Sequence, residues 1–143
     1  MDAAQRLGAD NVAGVTLLTE AAIAWRGGDR ATARVLASAA STRAGTASRA
    51  WGVLPRTLAC ACGDQEGQDL EALTREALAC PLPGILVQSL GLLARSGGPG
   101  SDERDGAVER AAQRIPRHQW GLRREVLSVE EALRLTIGRI PEP

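Results

Sequence analysis

The sequence predicts an all-α chain, an α-α superhelix of antiparallel helix pairs. About three degenerate repeats are expected, followed by a C-terminal capping helix. Three observations predict this. Glycine turns recur at Gly28, Gly63 and Gly98, at steps of 35 residues, and a fixed period of that length marks a stacked helix–turn–helix array. Apolar residues within the runs between turns recur at three- and four-residue steps, as on amphipathic helices. The chain has no Phe and no Tyr, three Trp are its only aromatics, and its apolar set is dominated by Ala and Leu. Strands favour aromatic and β-branched residues, whereas Ala and Leu suit closely packed helices. The 143 residues suffice for one domain with a real core. Repeat units are expected at about 9–44, 46–79 and 82–115, with the cap at 116–140.

Met1 to Leu7 reads as the tail of a helix broken at Gly8, with Asp10 or Asn11 capping the next. From Val12 to Arg26 the apolar residues Val12, Val15, Leu18, Ala22 and Trp25 share one face. Gly27-Gly28-Asp29 ends this helix. Its partner runs from Arg30 to about Thr42, with Ala33, Leu36, Ala37 and Ala40 inward, and stops at Gly45. The second unit opens near Thr46 and passes through Trp51, Val53, Leu54, Leu58 and Ala59. Pro55 should kink or restart it, because proline removes a backbone donor and crowds the preceding turn. After Cys62-Gly63-Asp64, Gln68 to Ala79 forms the partner, with Leu70, Leu73, Ala77 and Leu78 inward. Ile85 to Arg95 is apolar enough to be central. Ser101 or Asp102 caps a helix that reaches about Ile115, and Pro116 stops it. Ser128 and Glu131 form a capping box at the head of a last helix ending near Ile137.

Charge and composition exclude several classes. The 17 acidic residues balance 17 basic ones, so the basic excess of a nucleic-acid domain is absent and direct nucleic-acid binding is not expected. Zero net charge leaves self-association open. Every basic residue is Arg, which points to a GC-rich genome. The start of the chain has no signal-peptide pattern. The most apolar stretch, Pro83 to Ala94, is too short to span a bilayer. An odd number of cysteines without secretory context implies reduced thiols and a cytoplasmic location.

No catalytic, cofactor or metal site is expected. Cys60, Cys62, Cys80 and His118 are the soft ligands available for zinc. Residues two apart on a helix diverge by about 200°, so Cys60 and Cys62 are poorly spaced for one metal, and buried packing is their expected role. His118 has no acid nearby until Glu125, which argues against a general base. The loop Gly97-Gly98-Pro99-Gly100 lacks the Lys-Ser/Thr of a phosphate loop. One segment stands out. Arg110 to Arg124 holds five Arg and no acid. A helix dipole places cations at a C-terminal end, so part of this run is a solvated helix end. The alternative is a surface for an acidic partner. Trp25 and Trp51 sit at core-type positions. Trp120 lies in the irregular Arg-rich stretch, and with Arg114, Arg117, Arg123 and Arg124 it forms the candidate partner-binding surface, since Trp and Arg are enriched at interface hot spots.

Trp25-Arg26-Gly27-Gly28-Asp29-Arg30-Ala31-Thr32-Ala33, followed by Ala37 and Ala40, resembles the centre of a tetratricopeptide repeat. That family places Gly-Asp at the inter-helix turn and small residues where its two helices touch. Leu58 to Asp64, with Ala72 and Ala77, resembles a weaker copy. Leu127-Ser128-Val129-Glu130-Glu131-Ala132 is similar to the closing segment of repeat regions in large bacterial regulators, the predicted ATPases and LuxR-type or cyclase-linked transcriptional regulators. The resemblance spans roughly residues 1–138. It implies a non-enzymatic helical-repeat scaffold that binds a protein or peptide in transcriptional regulation. A different class stays open beside it, an effector-sensing fragment of such a regulator with a small ligand between its helices. Ala33 follows the first turn where that family packs its helices closest, so Ala33→Leu is expected to destabilise by about 1–3 kcal/mol through overpacking. Thermal melting of the variant checks this.

Overall fold

Glycine and proline punctuate the chain, and the structure shows which of them stop a helix. The computed structural model describes residues 3–47, 49–63, 70–97, 100–122 and 126–141. Their helices are α1 (Ala3–Arg26), α2 (Arg30–Ala47), α3 (Arg49–Ala61), α4 (Leu70–Leu78), α5 (Pro83–Arg95), α6 (Asp102–Gln113) and α7 (Val129–Thr136), with one 3-10 turn at Arg117–Gln119. No strand occurs among the described residues. The chain is all-α, with neighbouring helices packed on one another.

The first turn is built by its sequence. Gly28 adopts φ +84°, which an L side chain avoids. The Asp29 amide donates to Ala24 O at 2.9 Å and the Gly28 amide to Trp25 O at 3.1 Å, the paired bonds of a Schellman motif. Asp29 then caps α2, accepting from the Thr32 amide at 3.1 Å and the Thr32 hydroxyl at 2.6 Å. Those two bonds hold its carboxyl below the usual range, the hydroxyl contributing most. Gly63 repeats the left-handed turn at φ +103°. In the third turn the left-handed glycine is Gly97, at φ +82°, one position before the expected Gly98. Gly98 itself lies outside the described residues, as do Asp64 and Gln68.

Several local expectations are corrected. α1 runs unbroken through Gly8, Asp10 and Asn11, so neither Asp10 nor Asn11 caps a helix. An interior glycine costs about 1 kcal/mol, too little to stop a helix with long flanking runs. Val12 and Val15 are exposed, at 68% and 48%. The buried face is Gly14, Leu18, Ala21 and Ala22, because α1 is packed mainly by α2. On α2 the matching stripe is Ala33, Ala37, Ala40 and Ala44, all buried. A Cβ on Gly14 would lie 3.4 Å from Ala44 N, so small residues set how near these helices come. Pro55 sits inside an uninterrupted α3 and is fully buried; packing retains the helix despite the missing amide. Trp51 is 36% exposed rather than in the core, because Val53, Leu54 and Leu58 take the inward positions of α3.

α5 is the centre. Proline at its first position fits a helix start, where the absent amide proton costs nothing. Every residue from Ile85 to Leu93 is buried, and α3, α4, α6 and α7 all pack against it. The crossing with α7 is the tightest point. A Cβ added to Gly91 would fall 2.8 Å from Ala132 Cβ and 2.9 Å from Ala132 Cα, closer than atoms can stand. Both capping bonds expected of Ser128 and Glu131 are present, Glu131 N to Ser128 Oγ at 3.1 Å and Ser128 N to Glu131 Oε2 at 2.7 Å. Ser101 rather than Asp102 caps α6, accepting from Arg104 N at 3.0 Å. Gly91→Ala is expected to lower stability by about 1–3 kcal/mol, read as a shifted denaturant midpoint at constant slope.

Candidate functional site

Residues 114–122 of the Arg-rich segment fold as a ridge. α6 ends at Gln113, and Pro116 bars its continuation by lacking an amide proton. The chain turns through Arg117–Gln119, closed by Gln119 N to Pro116 O at 2.8 Å and Trp120 N to Arg117 O at 3.0 Å. Leu122 N follows with a bond to Gln119 O at 3.2 Å. Trp120 swings inward. It is only 9% exposed, and its indole Nε1 donates to Ile115 O at 3.2 Å. The ring still borders a groove on the surface. The indole body is needed to fill the hollow behind the turn, and its one donor is already used. Arg117 lies over the Trp120 ring at 4.5 Å and donates to Pro141 O, so it is fixed to the body of the protein while its edge stays exposed.

A groove runs along each side of this ridge. One, of about 360 Å³, lies between the start of α5 and the turn, with Gly84, Gln88, Arg114, Ile115, Leu122 and Val129 on its walls. The other, of about 420 Å³, is bordered by Ala112, Ile115, Pro116, Arg117, Trp120 and Pro141. Ile115 and Pro116 form the wall they share. Of the five residues expected at the partner surface, the structure brings Arg114, Arg117 and Trp120 to this ridge. Arg123 and Arg124 lie outside the described residues. Arg114 is exposed and has no ion pair with an acid among the described residues. His118 is also exposed.

Two residues of the larger setting escaped the sequence reading. Leu122 is 55% exposed on the first groove, although a leucine next to Arg123 carries no signal of its own. Gln88 is buried within α5, its Nε2 donating to Leu127 O. Its Oε1 has no hydrogen-bond partner among the described residues. A polar residue inside an otherwise apolar helix is the signal that could have found it, since buried polar atoms are nearly always paired.

The cysteines lie elsewhere. Cys60 and Cys80 are buried and Cys62 is half-buried, all as free thiols. Burial raises the pKa of Cys62, opposed by the nearby charges of Arg30 and Arg34; burial likewise raises that of Cys80. Among the described residues no group of three His, Cys, Asp or Glu side chains could hold a metal ion. No helix among them is long and apolar enough to cross a membrane. Comparison with family models, curated proteins and solved structures returns no match.

Because Trp120 is packed and hydrogen-bonded, Trp120→Ala is expected to cost about 3 kcal/mol in stability. Trp120→Phe should cost less, since it keeps most of the buried ring and loses the Ile115 bond. Chemical denaturation of the two variants side by side measures the difference.

Proposed function

We propose that the chain is a non-enzymatic helical scaffold that binds a protein or peptide along the ridge from Arg114 to Leu122. The observation that supports this most directly is the combination on one ridge of an exposed Leu122, an unpaired Arg114 and a groove on either side. Exposed apolar surface rimmed by unpaired charge is the composition of an interaction site. Each groove has room for one or two large side chains. A partner segment with an apolar anchor beside an acidic residue matches the surface. Its neutral overall charge directs the chain to such a partner rather than to nucleic acid. The repeat-like turns at Gly28 and Gly63, and the segment Leu127 to Ala132, support a tetratricopeptide-like superhelix in a bacterial, cytoplasmic, transcription-regulating protein.

One observation favours a second reading, a small effector held between helices. Gln88 borders the 360 Å³ groove and leaves Oε1 without a donor among the described residues, and a volume of that order is typical of small-ligand sites. A ligand with an N–H group and an anionic end would complement Gln88 and Arg114.

The double variant Arg114→Gln with Leu122→Ala tests the first reading. Both side chains are exposed and neither forms a described contact, so the melting temperature should hold. Affinity for a partner captured from the source organism is expected to fall by about 2 kcal/mol or more, roughly thirty-fold. Unchanged affinity would move binding away from the ridge. A metabolite that co-purifies with the native chain and is displaced by Gln88→Leu supports the effector reading instead.

A further inference from the structure

A second polar cleft lies far along the chain from the ridge. The end of α1, the start of α2, the C-terminal end of α5 and the corner before α7 enclose about 300 Å³. Its wall carries Trp25, Arg26, Arg30, Arg95 and Glu131. Arg26 is already engaged, donating to Val126 O at 2.7 Å and to Glu131 Oε2 at 3.2 Å. Glu131 also accepts from Ser128 N at 2.7 Å, so the one carboxylate of the wall is committed. Asp29, next to Arg30 in sequence, is turned to its own helix through Thr32.

Arg30 and Arg95 are different. Their guanidinium carbons lie 5.5 and 5.0 Å from the centre of the Trp25 ring. Neither pairs with an acid among the described residues. Two like charges drawn to one ring repel each other, and the indole offsets part of that repulsion. Contact with the ring engages the cationic carbon and leaves N–H groups at the guanidinium edges for other acceptors. The ring also limits side-chain motion, which lowers the entropy cost of fixing both donors on a ligand. Three arginines against one glutamate leave the cleft with two positive charges.

We propose that this cleft binds a phosphate monoester dianion, with Arg30 and Arg95 donating to its phosphoryl oxygens and Trp25 holding both guanidiniums in place. The charge of the ligand matches the charge of the wall. The planar donor forks match phosphoryl oxygens, which lysine would not.

The experiment titrates the whole chain with inorganic phosphate and, separately, with O-phosphoserine, following the Trp25 indole N–H and the arginine Nε–H signals by NMR. Acetate at equal ionic strength is the monoanion control. Saturable shifts at Trp25, Arg30 and Arg95 are expected with the phosphoryl probes, and at least tenfold weaker effects with acetate. Tighter binding of O-phosphoserine than of inorganic phosphate supports the ester, and the reverse order overturns it in favour of the free ion. Arg30→Gln with Arg95→Gln should weaken binding at least tenfold at an unchanged melting temperature, because both side chains are exposed. Arg30→Lys with Arg95→Lys should recover only part of it. Absence of saturable shifts up to about 10 mM probe, a level that bounds the dissociation constant in the millimolar range, overturns the proposal. So does equal binding of acetate, or phosphate binding that survives the Gln pair.

Discussion

The close crossing of α5 and α7 at Gly91 and Ala132 is the contact on which much of the C-terminal structure rests. The Ala132 methyl packs directly on Gly91, and no Cβ on Gly91 fits there. That approach allows Leu127 O to take the Gln88 amide, which joins the corner before α7 to the buried helix at the centre. The same corner presents Val126 O and Glu131 to Arg26 at the end of α1. The N-terminal hairpin and the C-terminal helix are therefore linked through a few polar bonds around one small-residue crossing. On the other side of α7, Arg104 reaches Thr136 O from α6, so α7 is held at both of its ends.

Small residues recur wherever helices approach most closely. The alanine stripe of α2 meets Gly14 on α1, and Gly91 meets Ala132. Close backbones gain dispersion contacts and exclude water without large side chains. A chain with no Phe or Tyr can form a core this way, because α5 supplies leucine, isoleucine and valine at its centre. The cost is sensitivity, as an added methyl at such a crossing has nowhere to go. The three tryptophans are then free for mixed tasks. Trp120 fills a hollow and satisfies its indole on Ile115 O, Trp25 gathers two arginines, and Trp51 stands partly in solvent.

Arginine is divided between structural and unpaired roles. Arg26, Arg56, Arg104, Arg134 and Arg139 all form ion pairs, mostly near the surface, where each is worth little to stability. Arg30, Arg95 and Arg114 form none among the described residues, and each borders a concave surface. A neutral protein thus carries local positive fields at two places, and fields of that kind steer anionic or acidic partners.

By itself the sequence determined the helical class, the left-handed turns at Gly28 and Gly63, the capping box at Ser128 and Glu131, and the centrality of the helix after Pro83. These depend on neighbours within one or two turns, where hydrogen-bond chemistry and apolar spacing decide the outcome. Tertiary structure decided the rest. Gly8 and Pro55 look like breaks, yet helix α1 carries through the first and burial of α3 outweighs the lost donor at the second. Trp51 is exposed where a core position was expected, because exposure depends on which helix arrives opposite, and local periodicity holds no record of that. The ridge was half legible: an acid-free run of arginines can be read directly, whereas its grooves need Pro83 to Gln88 on one side and Pro141 on the other brought against Ile115. The cleft at Trp25 was not legible at all. Arg30 follows it by five residues but Arg95 by seventy, and only the packing of α5 beside the first hairpin sets both guanidiniums on one ring.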